Sequence, residues 1–125
     1  MGGTLTLSLV AIEAEELIGH IAFSPVSIDG CHDGWFGLGP VSVKPEHQMR
    51  GVGSALIRRG IEQLRHRGAA GCVVLGDPDY YCRFGFERDS GLRYEQAPPE
   101  YFMRLSLTAE EPPTGVVDYA PPFNE

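Results

Sequence analysis

The sequence predicts a mixed α/β domain of the α+β kind, and three observations predict it. One stretch after Gly53 carries apolar residues at helical spacing, and apolar runs of strand length lie on both sides of it. Sixteen glycines and ten prolines in 125 residues indicate many short elements joined by tight turns rather than a helical bundle. The length suits one core, so residues 1–125 are read as one domain with a proline-rich C-terminal extension over 110–125.

Residues 5–12 are rich in Leu, Val and Thr and partly alternate, which predicts a strand; 13–16 is a polar turn. Residues 17–24 return as the hairpin partner, with Pro25 weakening the far end. The glycines and Asp33 make 29–34 a loop. Trp35 to Val43 is a second apolar run, yet it contains two glycines and Pro40, a composition that signals a bulge or a close approach by something other than side chains.

From Gly53 the inward positions are Gly53, Leu56, Ile57, Gly60, Ile61 and Leu64, one face of a helix that Gly68 stops. Gly60 costs about 1 kcal/mol against Ala in a helix, so its inward position predicts close packing on a sheet. Residues 71–76 are continuously apolar and read as a central strand, which makes 36–76 a βαβ unit with parallel strands. Asp77 and Pro78 are placed as N-cap and first residue of a short helix ending near Gly85. Residues 92–95 and 102–108 are further strands, and 110–125 is an irregular strand or wrapped extension.

A net charge of -7 argues against nonspecific nucleic-acid binding, which needs many Lys and Arg contacts to phosphate. Between residues 44 and 67, however, six cations (Lys44, Arg50, Arg58, Arg59, Arg65, Arg67) face two acids, a local field suited to a small polyanion. The cluster Arg58, Arg59, Arg65 and Arg67 itself reads as a solvated helix face. Cys31, Cys72 and Cys82 have no metal-ligand spacing and cannot all pair, so no metal, a reducing cytoplasmic setting and no membrane segment are expected.

The chemistry concentrates where the second apolar run meets the helix, at Gln48-Met49-Arg50-Gly51-Val52-Gly53. Glycines at a helix entry let main-chain N–H groups face a ligand without Cβ obstruction, and the helix dipole favours negative charge there. A pyrophosphate fits. The turn lacks the Gly-Lys-Ser/Thr ending of a P-loop, and Leu56 stands where the dinucleotide fingerprint needs its third glycine. The remaining pattern is Gln/Arg-x-x-Gly-x-Gly/Ala.

With the second segment Leu75-Gly76-Asp77-Pro78-Asp79-Tyr80-Tyr81-Cys82-Arg83-Phe84-Gly85-Phe86, the chain resembles the GCN5-related N-acetyltransferase (GNAT) superfamily, in its bacterial branch that carries both motifs. The resemblance implies the acyl-CoA N-acyltransferase fold, a mixed and mostly antiparallel sheet flanked by helices. It implies that amides of Met49, Arg50, Gly51, Val52, Gly53 and Ser54, following Gln48, hold the pyrophosphate of acetyl-CoA. Pro40, Val41, Ser42 and Val43 would line the pantetheine arm, and an N–H near Val43 would polarise the thioester carbonyl. Tyr81, five residues before Phe86, would bind near the sulfur and protonate the leaving thiolate.

The implied reaction is direct transfer of acetyl to an amine of a small molecule or peptide, without metal. Relatives place a strand and two helices ahead of the hairpin; their absence here implies an N-terminally shortened acceptor cleft and an unassigned base, with Asp33, His20 and Asp77 as titratable candidates. Two other readings follow from that shortening, a noncatalytic acyl-CoA-binding or sensing module and a structural subunit, and an exposed sheet edge would favour a homodimer.

Overall fold

The computed structural model describes residues 7–31 and 34–119, so the loop candidate Asp33 and residues 120–125 lie outside the described residues. In chain order the elements are β1 (Leu7–Glu13), β2 (Glu16–Ile28), β3 (Trp35–Val43), α1 (Val52–His66), β4 (Gly71–Leu75), α2 (Pro78–Tyr81), β5 (Leu92–Arg93), β6 (Phe102–Ser106) and β7 (Gly115–Tyr119). A 3-10 turn, Cys82–Phe84, continues α2 and ends at Gly85 with φ 98°.

The strands form one seven-stranded sheet in the order β5-β7-β2-β3-β4-β6, with β1 also paired to β2. The pairs β1/β2, β2/β3, β2/β7 and β4/β6 are antiparallel; β3/β4 and β5/β7 are parallel. The expected parallel relation of the strands around α1 is therefore present.

Several departures from the sequence reading have local causes. Strand β2 runs to Ile28 instead of stopping near Pro25, because it changes partners there: Pro25 is the last residue opposite β3, and Val26–Ile28 pair with β7 instead. The proline stands where the partner exchange leaves its missing N–H without consequence. The strand expected over 92–95 contracts to Leu92–Arg93, and the proline-rich extension supplies a full strand, β7, that bridges β2 and β5.

Helix α1 covers one face of the sheet with Leu56, Ile57, Gly60, Ile61 and Leu64 buried, the face its periodicity predicts. These pack with Ile21, Phe23, Leu38, Cys72, Val74 and Met103. A second cluster on the opposite face contains Trp35, Val26, Ile28, Val73, Phe102 and Val117. Trp35 is thus a core residue, with its ring over Gly71, where an added Cβ would come within 2.6 Å of Cζ2. Gly68, with φ 80°, ends α1 as expected, and the Ala69 N–H returns to the Leu64 carbonyl.

Candidate functional site: a gap between β3 and β4 beneath a glycine turn

Strands β3 and β4 are paired only over Trp35–Gly37 and Gly71–Val73. Beyond that point β4 stays with β6 through Leu75, whereas β3 stays with β2 through Val43, so the two diverge. The divergence coincides with a register shift: Val41 faces Ile21 but Leu38 faces Phe23, which leaves an extra residue in β3 around Gly39 and Pro40. At Gly39 an added Cβ would come within 3.0 Å of the Ala22 carbonyl oxygen. The glycine and proline that interrupt the apolar run are the bulge that bends β3 away from β4.

Past the bulge, the Lys44 N–H donates to the Ile18 carbonyl at 2.8 Å. In an antiparallel ladder the bonded pairs alternate, so Ile18/Lys44 and His20/Ser42 are the bonded pairs here. The peptide groups of Val41 and Val43 therefore point toward the gap. Among the described residues no strand occupies that edge.

The chain then passes through a 3-10 turn, Pro45–His47, and reaches the glycine turn. Met49 has φ 64° and Gly51 φ 86°, two left-handed positions that reverse the chain sharply into α1. Gly51 is the N-cap, with no side-chain cap. Among the described residues no acceptor engages the N–H groups of Met49, Arg50, Gly51, Val52, Gly53 or Ser54. Space around Gly51 is open, with nothing within 4 Å of an added Cβ, and Met49 is fully exposed. These unpartnered amides, the helix N-terminus and the exposed Arg50 converge on a space that no described protein group fills, an arrangement chemically suited to an anion.

Gln48 is positioned differently from its neighbours. Its Nε2 donates to the Val43 carbonyl at 3.0 Å, tying the turn to the end of β3.

The segment after β4 closes the other side. Asp77 caps α2, accepting from the Asp79 N–H at 3.0 Å, so this candidate base is engaged in a structural bond. Tyr81 lies half-buried with its ring against Gly76, where an added Cβ would come within 2.5 Å of Cε2. Burial, reinforced by Tyr80 and Cys72, holds its phenol above the usual tyrosine range. Its ring stands edge-on to Phe86 at 5.9 Å and to Tyr80 at 5.0 Å. His20 is opposite Ser42 and Val10 on the face away from α1.

Two contacts have no counterpart in the sequence reading. The Tyr80 hydroxyl lies 3.2 Å from Ser54 Oγ, joining α2 to the first turn of α1. Arg58 stacks over Phe84 at 4.9 Å, so one cation of the helix face packs on the 3-10 turn that follows α2. The doubled tyrosine was the only signal for the first.

The model of the acetyltransferase (GNAT) family matches residues 4–86. An uncharacterised N-acetyltransferase of Escherichia coli, YhbS, is 38% identical over 128 residues, which span 98% of this chain and 77% of YhbS. A GNAT family acetyltransferase from Brucella melitensis, solved in complex with acetyl-CoA, is 51% identical with a TM-score of 0.78, covering 94% of this chain and 68% of that one. The YhbS structure from Escherichia coli, in complex with CoA, superposes with a TM-score of 0.88 at 36% identity over the same shares.

Proposed function

The chain belongs to the GNAT family of acetyltransferases and has the acyl-CoA N-acyltransferase fold, and from that premise we propose that it transfers acetyl from acetyl-CoA to an amine in the gap between β3 and β4. The observation that carries the proposal is the run of unpartnered amides from Met49 to Ser54 at the N-terminus of α1, directly beside the open edge of β3. Two similar structures are complexes with acetyl-CoA or CoA, which supports the same ligand here.

Acetyl-CoA supplies an acetyl group already activated as a thioester. The amides of Met49 through Ser54 hold the pyrophosphate, with Arg50 adding charge. Val41 and Val43 offer peptide groups along the gap with Ser42 between them, and the N–H of Val43 polarises the carbonyl, a role its outward peptide group supports. The amine nitrogen forms its bond to the acetyl carbon as the carbon–sulfur bond breaks, and the amine proton leaves to solvent or a base. Tyr81 gives its hydroxyl proton to the departing sulfur and takes one back from solvent, which receives the amine proton; a phenol is protonated at neutral pH, and burial holds it further so.

The test is incubation with acetyl-CoA and an amine panel while free thiol is followed. Thiol release that depends on an amine supports transfer. Tight CoA binding without release for any amine would instead favour a noncatalytic acyl-CoA-binding module. Three free cysteines, of which Cys31 and Cys82 are exposed, support a reducing cytoplasmic setting. The outer edge of β1 has no partner strand among the described residues, and Val10 and Ile12 are exposed on it at 51% and 64%. This supports self-association through that edge, which sedimentation as a strict monomer would exclude.

A further inference from the structure

On the sheet face away from α1, the segment 88–102 lines an open cavity of about 660 Å³. That size lies within the roughly 300–1,000 Å³ of small-molecule sites. Its walls are mostly apolar, built from Leu92, Tyr94, Ala97 and Phe102. Tyr94 stacks on Phe102 with ring centroids 5.6 Å apart and meets Tyr119 edge-on at 5.4 Å.

The placement relates this cavity to the gap. Phe102 is the register partner of Leu75, the last residue of β4. The next residue, Gly76, donates its N–H to the Tyr101 carbonyl at 2.9 Å and carries the ring of Tyr81 on the α1 side. Tyr119 lies against Gly37, the last residue of β3 still paired to β4, where an added Cβ would come within 2.9 Å of Cζ. The aromatic row Phe102–Tyr94–Tyr119 thus runs from the end of β4 to the point where the strands diverge. Of these three rings Tyr94 and Phe102 line the cavity, so a molecule seated there lies beside the end of β4 on the face opposite α1, with Tyr119 between it and Gly37.

The charges around the cavity restrict what it can hold. Asp89 is engaged by Arg104 Nε at 2.9 Å and by the Gly91 N–H at 2.9 Å. The other rim charges, Arg88, Arg93, Glu95 and Glu100, form no ion pair among the described residues, and they sum to zero. A polycation gains nothing from such a rim. An apolar or aromatic body gains the contact surface of the floor, which burial removes from water.

We propose that this cavity binds the non-reacting part of the acceptor and that the acceptor is a primary amine with an apolar, preferably aromatic, body. The inference rests on the acetyltransferase reading for the word acceptor; the cavity's own preference does not depend on it. Phenethylamine, hexylamine, ethanolamine and spermidine are the probes. With acetyl-CoA present, kcat/KM for phenethylamine exceeds that for ethanolamine and spermidine at least tenfold, with hexylamine between. Ala97→Trp, which fills the cavity from a loop, raises the KM for phenethylamine at least fivefold and leaves the acetyl-CoA-dependent rise in Tm unchanged.

Direct binding separates the two readings. Phenethylamine gives intermolecular NOEs to the rings of Tyr94 and Phe102 in the wild-type protein, whether or not transfer occurs. Absence of those NOEs, or equal use of spermidine and phenethylamine, overturns the cavity's assignment. Failure of acetyl-CoA to bind, with the NOEs present, overturns the acetyltransferase reading and leaves the cavity as a site for an aromatic amine only.

Discussion

Gly60 of α1 lies directly over the ring of Phe23 in β2: a Cβ built on Gly60 would stand 2.5 Å from Phe23 Cζ. Phe23 is fully buried and cannot swing away. The absent side chain is what lets the helix lie close to the sheet, and so fixes the height of the glycine turn above β3. Gly60→Ala gains about 1 kcal/mol of helix propensity, but overpacking a filled core costs about 1–3 kcal/mol. Because the added Cβ meets a fully buried ring, the cost lies in the upper part of that range; the expected net loss is about 1–2 kcal/mol, with Tm lower by about 3–8 °C in a thermal melt. A Tm equal to or above that of the wild type contradicts the packing argument.

The two glycines of the turn separate by conformation. Gly51 has φ 86° and open space around it, so Gly51→Ala suffers backbone strain of about 1–2 kcal/mol without any clash. Gly53 is helical, and an added Cβ there meets its neighbours only at 3.8–3.9 Å. Titration calorimetry with CoA is expected to show at least a tenfold loss of affinity for Gly51→Ala and less than a threefold loss for Gly53→Ala. Equal losses would mean that the turn's geometry is not what binds.

Much of the fold was legible because it rests on local rules. The buried face of α1, the Asp77 cap, the stop at Gly68 and the irregularity in β3 each follow from residues within a turn or two of one another. What was not legible depends on long separations. That β2 would change partner at Pro25 depends on β7, about ninety residues on. Tyr119 against Gly37 and Tyr80 beside Ser54 are contacts that no spacing encodes. Gln48 falls between these cases: the motif placed it at the turn, but only the structure shows its amide bound to the Val43 carbonyl.

Tyr81 and its neighbour Tyr80 are expected to have different effects. Burial raises the Tyr81 phenol above its ordinary value near 10. As a proton donor it stays competent up to that higher value, so kcat should hold past pH 10 before an alkaline fall. The same sign governs stability: the buried neutral phenol contributes fully below the unfolded pKa and less as pH rises through the folded one. Tyr81→Phe should lower kcat at least tenfold with little change in CoA affinity. Tyr80→Phe loses the 3.2 Å bond to Ser54, about 0.5–1.5 kcal/mol of stability, with kcat within threefold. An unchanged kcat in Tyr81→Phe removes that residue from the chemistry.

The cysteines offer a test of the core that is independent of the ligand. Cys72 is fully buried in β4, and burial pushes its thiol far above the usual range, so its thiolate is scarcely populated at neutral pH. Cys31 and Cys82 are exposed. Iodoacetamide at neutral pH should therefore label Cys31 and Cys82 while leaving Cys72 untouched, and Cys72 should react only after denaturant opens the sheet. Because Cys72 faces Phe36 in the β3/β4 pairing, its rate of labelling in the native state reports the opening of that pair. Ligand in the adjoining gap favours the closed pair, so saturating CoA should slow native-state labelling of Cys72 and leave Cys31 unaffected; labelling of Cys72 as fast as Cys31 without denaturant would show that β4 is not held between β3 and β6.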